Sequence, residues 1–449
     1  MSDGASRFSE VNLLADPLYG YIEVTKGGPG EASERHLLDT PWLQRLRRVH
    51  QLQSAWWIFP TAEHSRFTHL LGAMHLASLF ARRIDDSLRQ AFPDAPSPAC
   101  VEETLRLASL LHDVGHGPFG HFFDREYLAR WGIDHEDIGR HLITTRLADL
   151  IASMRTSPSG RFAPGESIDP RWIAWIMAPA DMPGYTPPGW LRACKPVLCG
   201  PATVDNLDYV PRDAYMCGVS VGVVDVQRII HYSFVHGDTM VLHAHGVAAL
   251  EMFLTARLYM YTQVYLHRTG RRFDLAMREI FAESVDRLIP GNPIEHTDAY
   301  LDLTDWSLLE AANRWRHAPA GSDERRLGDA WARITARDLS WRLAYETITR
   351  REYDVTTVRE RIRAELPAHA RAMRFEVDVA SATVSPDNPM TDDGMVVIYD
   401  PLQQQVEKSR TRELVARLPQ YNQLVRIFTD DADAMGTLER AARCALGTG

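Results

Sequence analysis

The side chains best suited to chemistry are concentrated in one window of the sequence. Nine of the 18 histidines of this 449-residue chain lie between His50 and His141. Imidazole binds metals and exchanges protons near neutral pH, whereas an unpartnered imidazole is costly to bury in a core. We therefore expect a functional site that is built mainly from this window.

An adjacent His112 and Asp113 indicate a metal site. They lie at the end of a segment, residues 101–114, that is apolar on nearly every side and so predicts a buried helix. A carboxylate in such surroundings needs a cation beside it. His69 and Asp205 are the best further ligands, because each is a polar residue in an otherwise apolar segment. Two imidazoles and two carboxylates suit Mn, Fe, Co, Ni or Zn and leave coordination positions open, which is typical of a catalytic centre.

The hydrophobic pattern predicts the helices that position these residues. Thr40 and Thr68 are suitable caps for two helices within residues 41–90, and the glycines and proline of 115–120 end the helix that carries the His-Asp pair. Residues 155–203 contain nine prolines and are expected to form a lid or an insertion. Further helical patterns cover 134–150, 170–177, 205–210 continuing through 250–267, 273–288 and 301–348.

The character of the sequence changes beyond about residue 368. Residues 374–379, 395–399 and 424–429 are rich in Val, Ile and Phe and predict strands, with a helix at 411–418 between two of them. The expected fold is therefore mainly α, with an all-helical core and a small C-terminal α+β lobe. The predicted organisation is an N-terminal segment 1–40, a main domain 41–290 with a proline-rich insert at about 155–203, a helical extension 291–367 and the lobe 368–449.

Composition and charge exclude several classes of protein. The chain is 45% hydrophobic and 24% charged, as in a folded globular protein. Its formal net charge of −10 argues against an extended nucleic-acid surface and leaves only a local groove, such as one lined by Arg45, Arg47 and Arg48. Five scattered cysteines favour neither disulfides nor a thiolate zinc site. Without a signal-peptide pattern or a long apolar run, the chain is expected to be cytoplasmic and to have no membrane partner.

One motif relates the sequence to a known family. The run HDVGHGPFGH at residues 112–121, with HSRFTH at 64–69 and DNLDY at 205–209, resembles the HD-domain phosphohydrolases. Within them it is similar to the deoxynucleoside triphosphate triphosphohydrolases, over roughly residues 16–290. The resemblance implies an HD phosphohydrolase domain within 41–290 and hydrolysis of a dNTP to a deoxynucleoside and inorganic tripolyphosphate. It also implies a homotetramer or homohexamer.

The resemblance assigns roles to individual residues. It makes a divalent transition metal, manganese among the candidates, the cofactor, and the nucleotide can bring Mg²⁺ with it. His121 with Asp124 is the first choice for the proton donor, and His116 is the alternative and otherwise binds phosphate. The implied metal ligands are His69, His112, Asp113 and Asp205; the implied catalytic residues are His116, His121, Asp124, His135 and Glu136; the implied substrate-binding residues are Gln51, Leu52, Arg66, Tyr209, Asp213, Arg257, Tyr265 and Arg268.

Two positions depart from the family pattern and keep other functions open. Gln53 replaces a usual glycine, and Asn206 stands where a Lys or Arg usually follows the metal Asp. A phosphate contact is then missing unless Arg212 or a residue of the lid replaces it. The alternatives are another HD phosphohydrolase, acting on nucleoside monophosphates, cyclic dinucleotides or single-stranded ends, and a catalytically silent nucleotide-binding sensor.

Overall fold

Helices form most of the molecule. The computed structural model describes residues 10–28, 30–178, 182–349, 351–382, 396–407 and 422–447. Its helices up to the middle of the chain are α1 (Glu34–Leu38), α2 (Pro41–Gln44), α3 (Arg66–Ala91), α4 (Pro98–Leu111), α5 (His121–Glu126), α6 (His135–Thr144), α7 (Ala148–Ala152), α8 (Pro170–Ile176), α9 (Gly189–Cys194) and α10 (Val204–Cys217). Then follow α11 (Val226–His231), α12 (Val247–Met260), α13 (Arg268–Arg278), α14 (Phe281–Asp286), α15 (Thr297–Leu301), α16 (Asp305–Trp315), α17 (Asp323–Thr335), α18 (Val355–Glu365) and α19 (Met435–Leu446). The predicted mainly α fold is confirmed.

Small sheets accompany the helices. The strands are β1 (Val11–Asp16), β2 (Gly20–Thr25), β3 (Thr156–Ser157), β4 (Gly160–Arg161), β5 (Ser233–His236), β6 (Thr239–His243), β7 (Arg342–Thr349), β8 (Glu376–Ala382), β9 (Val397–Asp400), β10 (Gln405–Glu407) and β11 (Asn422–Thr429). Hairpins β1-β2 and β3-β4 stand alone, and the other strands form sheets in the orders β10-β9-β6-β5 and β7-β11-β8. All the strand pairs are antiparallel except β6 with β9, which run parallel.

The helices α3, α4 and α10 form the centre of the fold. α4 is buried at nearly every position, as its apolar composition predicts, and it packs along α3. Its start is fixed by Ser97, whose hydroxyl accepts the amide of Cys100, with Pro98 in the first turn. α10 crosses α3 at Gly72, where a Cβ atom would lie 1.9 Å from Asp208 Oδ1. The close approach of these two helices therefore requires glycine at this position.

The C-terminal strands and two helices share a core of their own. Buried side chains of β7, β8 and β11 pack against α18 and α19, and Val425 and Ile427 of β11 lie at the centre. β7 and α18 thus pack with β8, β11 and α19 of the predicted lobe. The strands predicted at 374–379, 395–399 and 424–429 match β8, β9 and β11.

Several local predictions were wrong. The helical pattern from 205 through 267 is interrupted by the hairpin β5-β6, and the predicted helix at 301–348 ends in strand β7. α3 begins after Ser65 rather than at Thr68, whose hydroxyl instead donates to the carbonyl of Ser65 inside the helix. The helix predicted at 411–418 lies outside the described residues. In the described part of the chain, no helix combines the length and the apolar character that crossing a membrane requires.

Candidate metal centre and adjoining histidine cluster

Three helix ends meet at the candidate metal centre. His69 lies in the first turn of α3, His112 directly follows α4, and Asp205 lies in the first turn of α10. One ligand atom from each of the three lies within 4.8 Å of the others. Asp205 Oδ1 is 3.0 Å from His69 Nε2 and 3.5 Å from His112 Nε2. The fold thus joins side chains that are far apart in the sequence.

Asp113 adjoins this group and faces a second set of histidines. Its Oδ1 is 3.4 Å from His112 Nε2 and 3.3 Å from His116 Nε2. Its Oδ2 accepts a hydrogen bond from Arg66. Burial alone would raise the pKa of Asp113, but the charges of His112 and Arg66 hold it well below its usual range. Asp113 is therefore ionised at neutral pH, as a metal ligand must be.

The donor set fits a divalent transition metal. The Nε2 atoms of His69 and His112 are buried, and neither has a hydrogen-bond partner among the described residues. Two such nitrogens beside a carboxylate oxygen are the arrangement expected around an ion with ligand bonds of about 2.0–2.2 Å. A mixed nitrogen and oxygen set of this kind suits Mn, Fe, Co, Ni or Zn. The residues present can therefore hold the predicted cofactor.

A buried chain of polar groups orients His69. Its Nδ1–H donates to Asp208 Oδ2 at 2.8 Å, and Arg212 donates to both oxygens of Asp208. Tyr19 also donates to Asp208, and Arg212 donates to Asp16, so the hairpin β1-β2 joins the network. Burial would lower the pKa of His69, but its contacts with Asp205 and Asp208 raise it to about 10, so these carboxylates favour positive charge at this position, from a proton or from a metal ion. Second partners of this kind fix the orientation of a metal-binding imidazole.

The second cluster consists of His116, His121, Asp124 and His135, with one ligand atom of each within 4.8 Å of the others. Asp124 Oδ2 is 2.7 Å from His135 Nδ1 and 3.2 Å from His121 Nδ1. Burial would lower the pKa of His135, but Asp124 raises it to about 9. Burial and the nearby charges of Arg66 and His135 hold the pKa of His116 well below its usual value. His135 is therefore cationic and His116 neutral at pH 7, and their rings stack at 3.7 Å.

Buried side chains hold the loop that carries His116. Arg45 donates to the carbonyl of His116 at 2.8 Å, and Tyr300 donates to the carbonyl of the preceding glycine at 2.6 Å. Asp305 accepts the amide of Phe119 at 2.7 Å. Phe119 has φ +62°, which is strained for an aromatic residue and is maintained by these contacts.

Several predicted substrate-binding residues meet on another side of the centre. Asp213 Oδ1 is 2.7 Å from His64 Nε2, and Asp213 Oδ2 accepts the hydroxyl of Tyr265 at 2.8 Å. The backbone N–H of Gln51 donates to the carbonyl of His64. The side-chain Oε1 of Gln51 is buried and has no hydrogen-bond partner among the described residues. These contacts leave Gln51 with an acceptor that a substrate hydroxyl can satisfy.

Tyr209 connects this group to the metal centre. Its ring lies 6.3 Å from the ring of His69 and 6.0 Å from that of Tyr265. The buried guanidinium of Arg257 donates to its hydroxyl at 3.3 Å. An aromatic surface and a cation therefore border the centre together.

The remaining predicted residues take no part in the contacts described above. Leu52 is part of the hydrophobic core, and Arg268 is exposed at the start of α13. Glu136 is half-buried beside His135, and burial raises its pKa. The side chain of Asn206 caps α10 through Thr203 rather than facing a ligand.

Sequence reasoning assigned no role to several residues that shape the site. Asp208 lies three residues after Asp205 on the same helix, so its spacing was a usable signal for a second carboxylate. His64 stands in the quoted HSRFTH run. Tyr300 and Asp305 have no local signal, because they reach the loop from a distant part of the chain.

The comparisons with known proteins agree with this geometry. Residues 66–174 match the HD domain family, and residues 224–430 match the HD associated region. The chain is therefore an HD-domain protein with an HD associated region, and the predicted family resemblance is confirmed. The match to the associated region extends across residues 290 and 367. The predicted division into domains at these residues stays a prediction.

Two relatives show how much of the chain is similar to known proteins. The chain is 30% identical to Uncharacterized protein YwfO of Bacillus subtilis, over 61% of this chain and 56% of that protein. It is 27% identical to the deoxynucleoside triphosphate triphosphohydrolase SAMHD1 homolog of Dictyostelium discoideum, over 69% and 56%. The chain thus spans little more than half the length of these relatives.

Two solved structures share the fold. A hypothetical protein from Aquifex aeolicus is similar with a TM-score of 0.70 and 24% identity, covering 97% of this chain and 100% of that one. A phosphohydrolase from Bacteroides thetaiotaomicron is similar with a TM-score of 0.66 and 20% identity, covering 94% and 100%. At these identities the likeness establishes the common fold alone.

Proposed function

We propose that the protein hydrolyses deoxynucleoside triphosphates to a deoxynucleoside and inorganic tripolyphosphate, with a divalent transition metal held by His69, His112, Asp113 and Asp205. One observation carries the proposal. Oδ1 of Asp113 lies 3.4 Å from His112 Nε2 and 3.3 Å from Nε2 of His116, which belongs to the second cluster. The candidate metal ligands and the candidate proton-transferring groups are thus in direct contact.

The division of labour follows from the positions of the residues. When bound, a divalent metal lowers the pKa of water and withdraws negative charge from a phosphoryl oxygen. His121, whose side chain is 54% exposed, donates a proton to the departing nucleoside oxygen. Asp124 fixes the orientation of this imidazole through Nδ1. The cationic His135 and Arg66 offset the negative charge of the phosphates.

The nucleoside is assigned to the side of Gln51, Tyr209 and Asp213. Carboxylate and amide oxygens there can accept a sugar hydroxyl, and the ring of Tyr209 offers an apolar surface next to His69. Arg257 supplies positive charge at this boundary. The family resemblance supports assembly as a tetramer or hexamer, and we also propose a cytoplasmic location.

A second candidate function is favoured by positions 206 and 212, where the expected phosphate-binding cations are not available. Asn206 is used as a cap, and Arg212, the suggested substitute for a phosphate contact, is bound to Asp208 and Asp16. These two positions therefore offer no unpaired cation to a phosphate group, which suits a substrate with fewer phosphate charges. The alternative is therefore an HD phosphohydrolase that acts on nucleoside monophosphates.

One assay separates the candidates. The metal-loaded protein is incubated with each dNTP, rNTP, dNMP and a short oligonucleotide, and the products are separated by ion-exchange chromatography. Tripolyphosphate supports the proposed function, orthophosphate from dNMPs supports the alternative, and binding without product supports a silent sensor.

Two substitutions test the assigned roles. Asp205→Ala removes a charged ligand, so we expect loss of bound metal and of turnover. His121→Ala is expected to keep the metal at the centre while turnover falls by roughly 10²–10⁴-fold. His141→Ala, on α6 and outside both clusters, is the matched control and keeps both properties. Full activity of either site variant contradicts the role assigned to it.

A further inference from the structure

We propose that His116, His121, Asp124 and His135 form a second metal site, suited to a tetrahedral ion such as Zn²⁺, and that its occupation inhibits the enzyme. The inhibition rests on the proposed function, because the site contains the proton donor. Binding of the second ion does not depend on that function. Manganese at the first centre and zinc at the second would then have opposite effects on turnover.

The distances in the cluster fit a tetrahedral ion. The Nδ1 atoms of His135, His121 and His116 lie 2.7, 3.2 and 4.0 Å from Asp124 Oδ2. In a tetrahedral zinc site with bonds of about 2.0–2.1 Å, neighbouring ligand atoms are about 3.3 Å apart. The three distances lie on both sides of that value, and one ligand atom of each of the four residues lies within 4.8 Å of the others.

Unpartnered buried atoms give a second, independent indication. The His116 side chain is completely buried, and neither of its ring nitrogens has a hydrogen-bond partner among the described residues. The same holds for Oδ1 of Asp124 within that part of the chain. Buried polar atoms of a native protein are normally satisfied, so a ligand is expected here. A cation bound to the Asp124 carboxylate satisfies Nδ1 of His116, while Nε2 of the same ring lies 3.3 Å from Asp113 Oδ1.

The ligand types distinguish the two sites. The first centre offers two imidazoles and two carboxylates, a set that also suits Mn²⁺. The second offers three imidazoles and one carboxylate, a nitrogen-rich set of four ligands that favours tetrahedral Zn²⁺ over Mn²⁺. An ion can enter from solvent through the exposed His121. We therefore expect Mn²⁺ to fill one site and Zn²⁺ to fill both.

Inhibition follows from the chemistry of ligation. A histidine that binds a metal through Nδ1 has lost the proton on that atom. Asp124 then coordinates the ion and no longer orients the imidazole of His121 as a proton donor. A zinc ion in the cluster therefore removes the group that protonates the leaving oxygen.

Metal stoichiometry tests the second site without reference to activity. Protein treated with a chelator is dialysed against Mn²⁺ or Zn²⁺, and bound metal is counted by inductively coupled plasma mass spectrometry. We expect one more ion per chain with zinc than with manganese. His121→Ala and Asp124→Asn are expected to bind one zinc fewer than the original protein, and His141→Ala the same number. Equal zinc and manganese counts, or an unchanged zinc count in His121→Ala, overturn the proposal.

Turnover separates this inference from the proposed function. With dNTP as substrate, the zinc-saturated protein is expected to be at least ten-fold slower than the manganese-loaded protein. Two bound zinc ions without any hydrolysis by the manganese form would leave the site standing and contradict the function. Hydrolysis of dNTP by the manganese form, with only one zinc ion bound at saturation, would support the proposed function and contradict the second metal site.

Discussion

Two neighbouring glutamates on α4 have opposite electrostatic environments. Glu102 accepts hydrogen bonds from Ser159, Ser78 and Arg82, and these contacts outweigh burial and lower its pKa. Glu103 is completely buried, and neither of its oxygens has a hydrogen-bond partner among the described residues. Burial, and then the charge of a nearby glutamate, raise the pKa of Glu103 well above its usual value. Glu103 is therefore protonated in the folded protein over a range in which it ionises in the unfolded chain.

This difference predicts a pH-dependent stability. As pH rises above the ordinary glutamate pKa, the unfolded state loses a proton that the folded state retains, so the free energy of unfolding falls. Glu103→Gln removes this loss, by up to about 1.4 kcal/mol per pH unit. We expect urea denaturation to show similar stabilities for the variant and the original protein at pH 4, and a more stable variant at pH 8.

Glu102→Gln is the matched control, and its effect has the opposite sign. Its stabilising contacts are present when the carboxylate is ionised and are lost as pH falls through its lowered pKa. The variant should be less stable than the original protein at pH 8, with a smaller difference at pH 4. A loss of stability at pH 8 in Glu103→Gln would contradict the assignment of a neutral Glu103.

At the scale of elements, Gly120 of the loop between α4 and α5 lies directly against Arg66. Gly120 has φ +53°, a conformation that favours glycine, and a Cβ atom there would lie 2.4 Å from Arg66 Nη2. Arg66 cannot withdraw freely because it donates to Asp113. The loop backbone and the carboxylate beside the metal centre are therefore fitted to each other.

Gly120→Ala is expected to reduce turnover more than its effect on stability explains. Gly132→Ala is the control, since Gly132 also has a positive φ but open space around its Cβ position. Gly132→Ala should lose about 1 kcal/mol of stability from its left-handed conformation, and Gly120→Ala should lose more, because its φ of 53° and ψ of −127° lie outside that region. Only Gly120→Ala should displace Arg66, with loss of activity measured at a temperature where both variants remain folded. Equal activities of the two variants would exclude this role of Gly120.

The sequence predicted some elements well and others poorly, for identifiable reasons. The apolar periodicity of α3 and the all-round apolar character of α4 are local signals, and both helices formed where expected within a few residues. β5 and β6 were missed because short apolar runs fit a helix as well as a strand, and the pairing of β6 with the distant β9 decides between them. The residues that hold the His116 loop could not be found, because their contacts are tertiary.

At the scale of the whole molecule, the N-terminal hairpin is connected to the metal centre. Asp16 accepts a hydrogen bond from the guanidinium of Arg212. Arg212 also donates to Asp208, which in turn accepts a hydrogen bond from His69. Tyr19 contacts Asp208 directly. A segment outside the matched HD domain therefore contributes to the orientation of His69, a proposed metal ligand.

Asp16→Asn should weaken metal binding through this connection. The asparagine retains an oxygen that accepts the amides of Leu18 and Tyr19, but it loses the charge opposite Arg212. Loss of a direct partner of a metal-binding histidine usually lowers metal affinity about 10–100-fold. We expect a loss of about that size for Asp208→Asn and a smaller loss for Asp16→Asn. Competition with a chelator measures both.

Glu23→Gln provides the control on the same hairpin, because Glu23 pairs with the partly exposed Arg82 and not with this chain of contacts. Its metal affinity should equal that of the original protein. If Asp16→Asn binds metal as tightly as Glu23→Gln, the hairpin has no part in holding the centre.

The strand order of the C-terminal lobe has a consequence for synthesis on the ribosome. β11 is the middle strand of β7-β11-β8, yet it follows both neighbours in the chain. While the nascent polypeptide grows, β7 and β8 emerge with open hydrogen-bonding edges and have no partner until residues 422–429 appear. Translation products that stop before this point would carry two unpaired edges, which are templates for aggregation and substrates for chaperones.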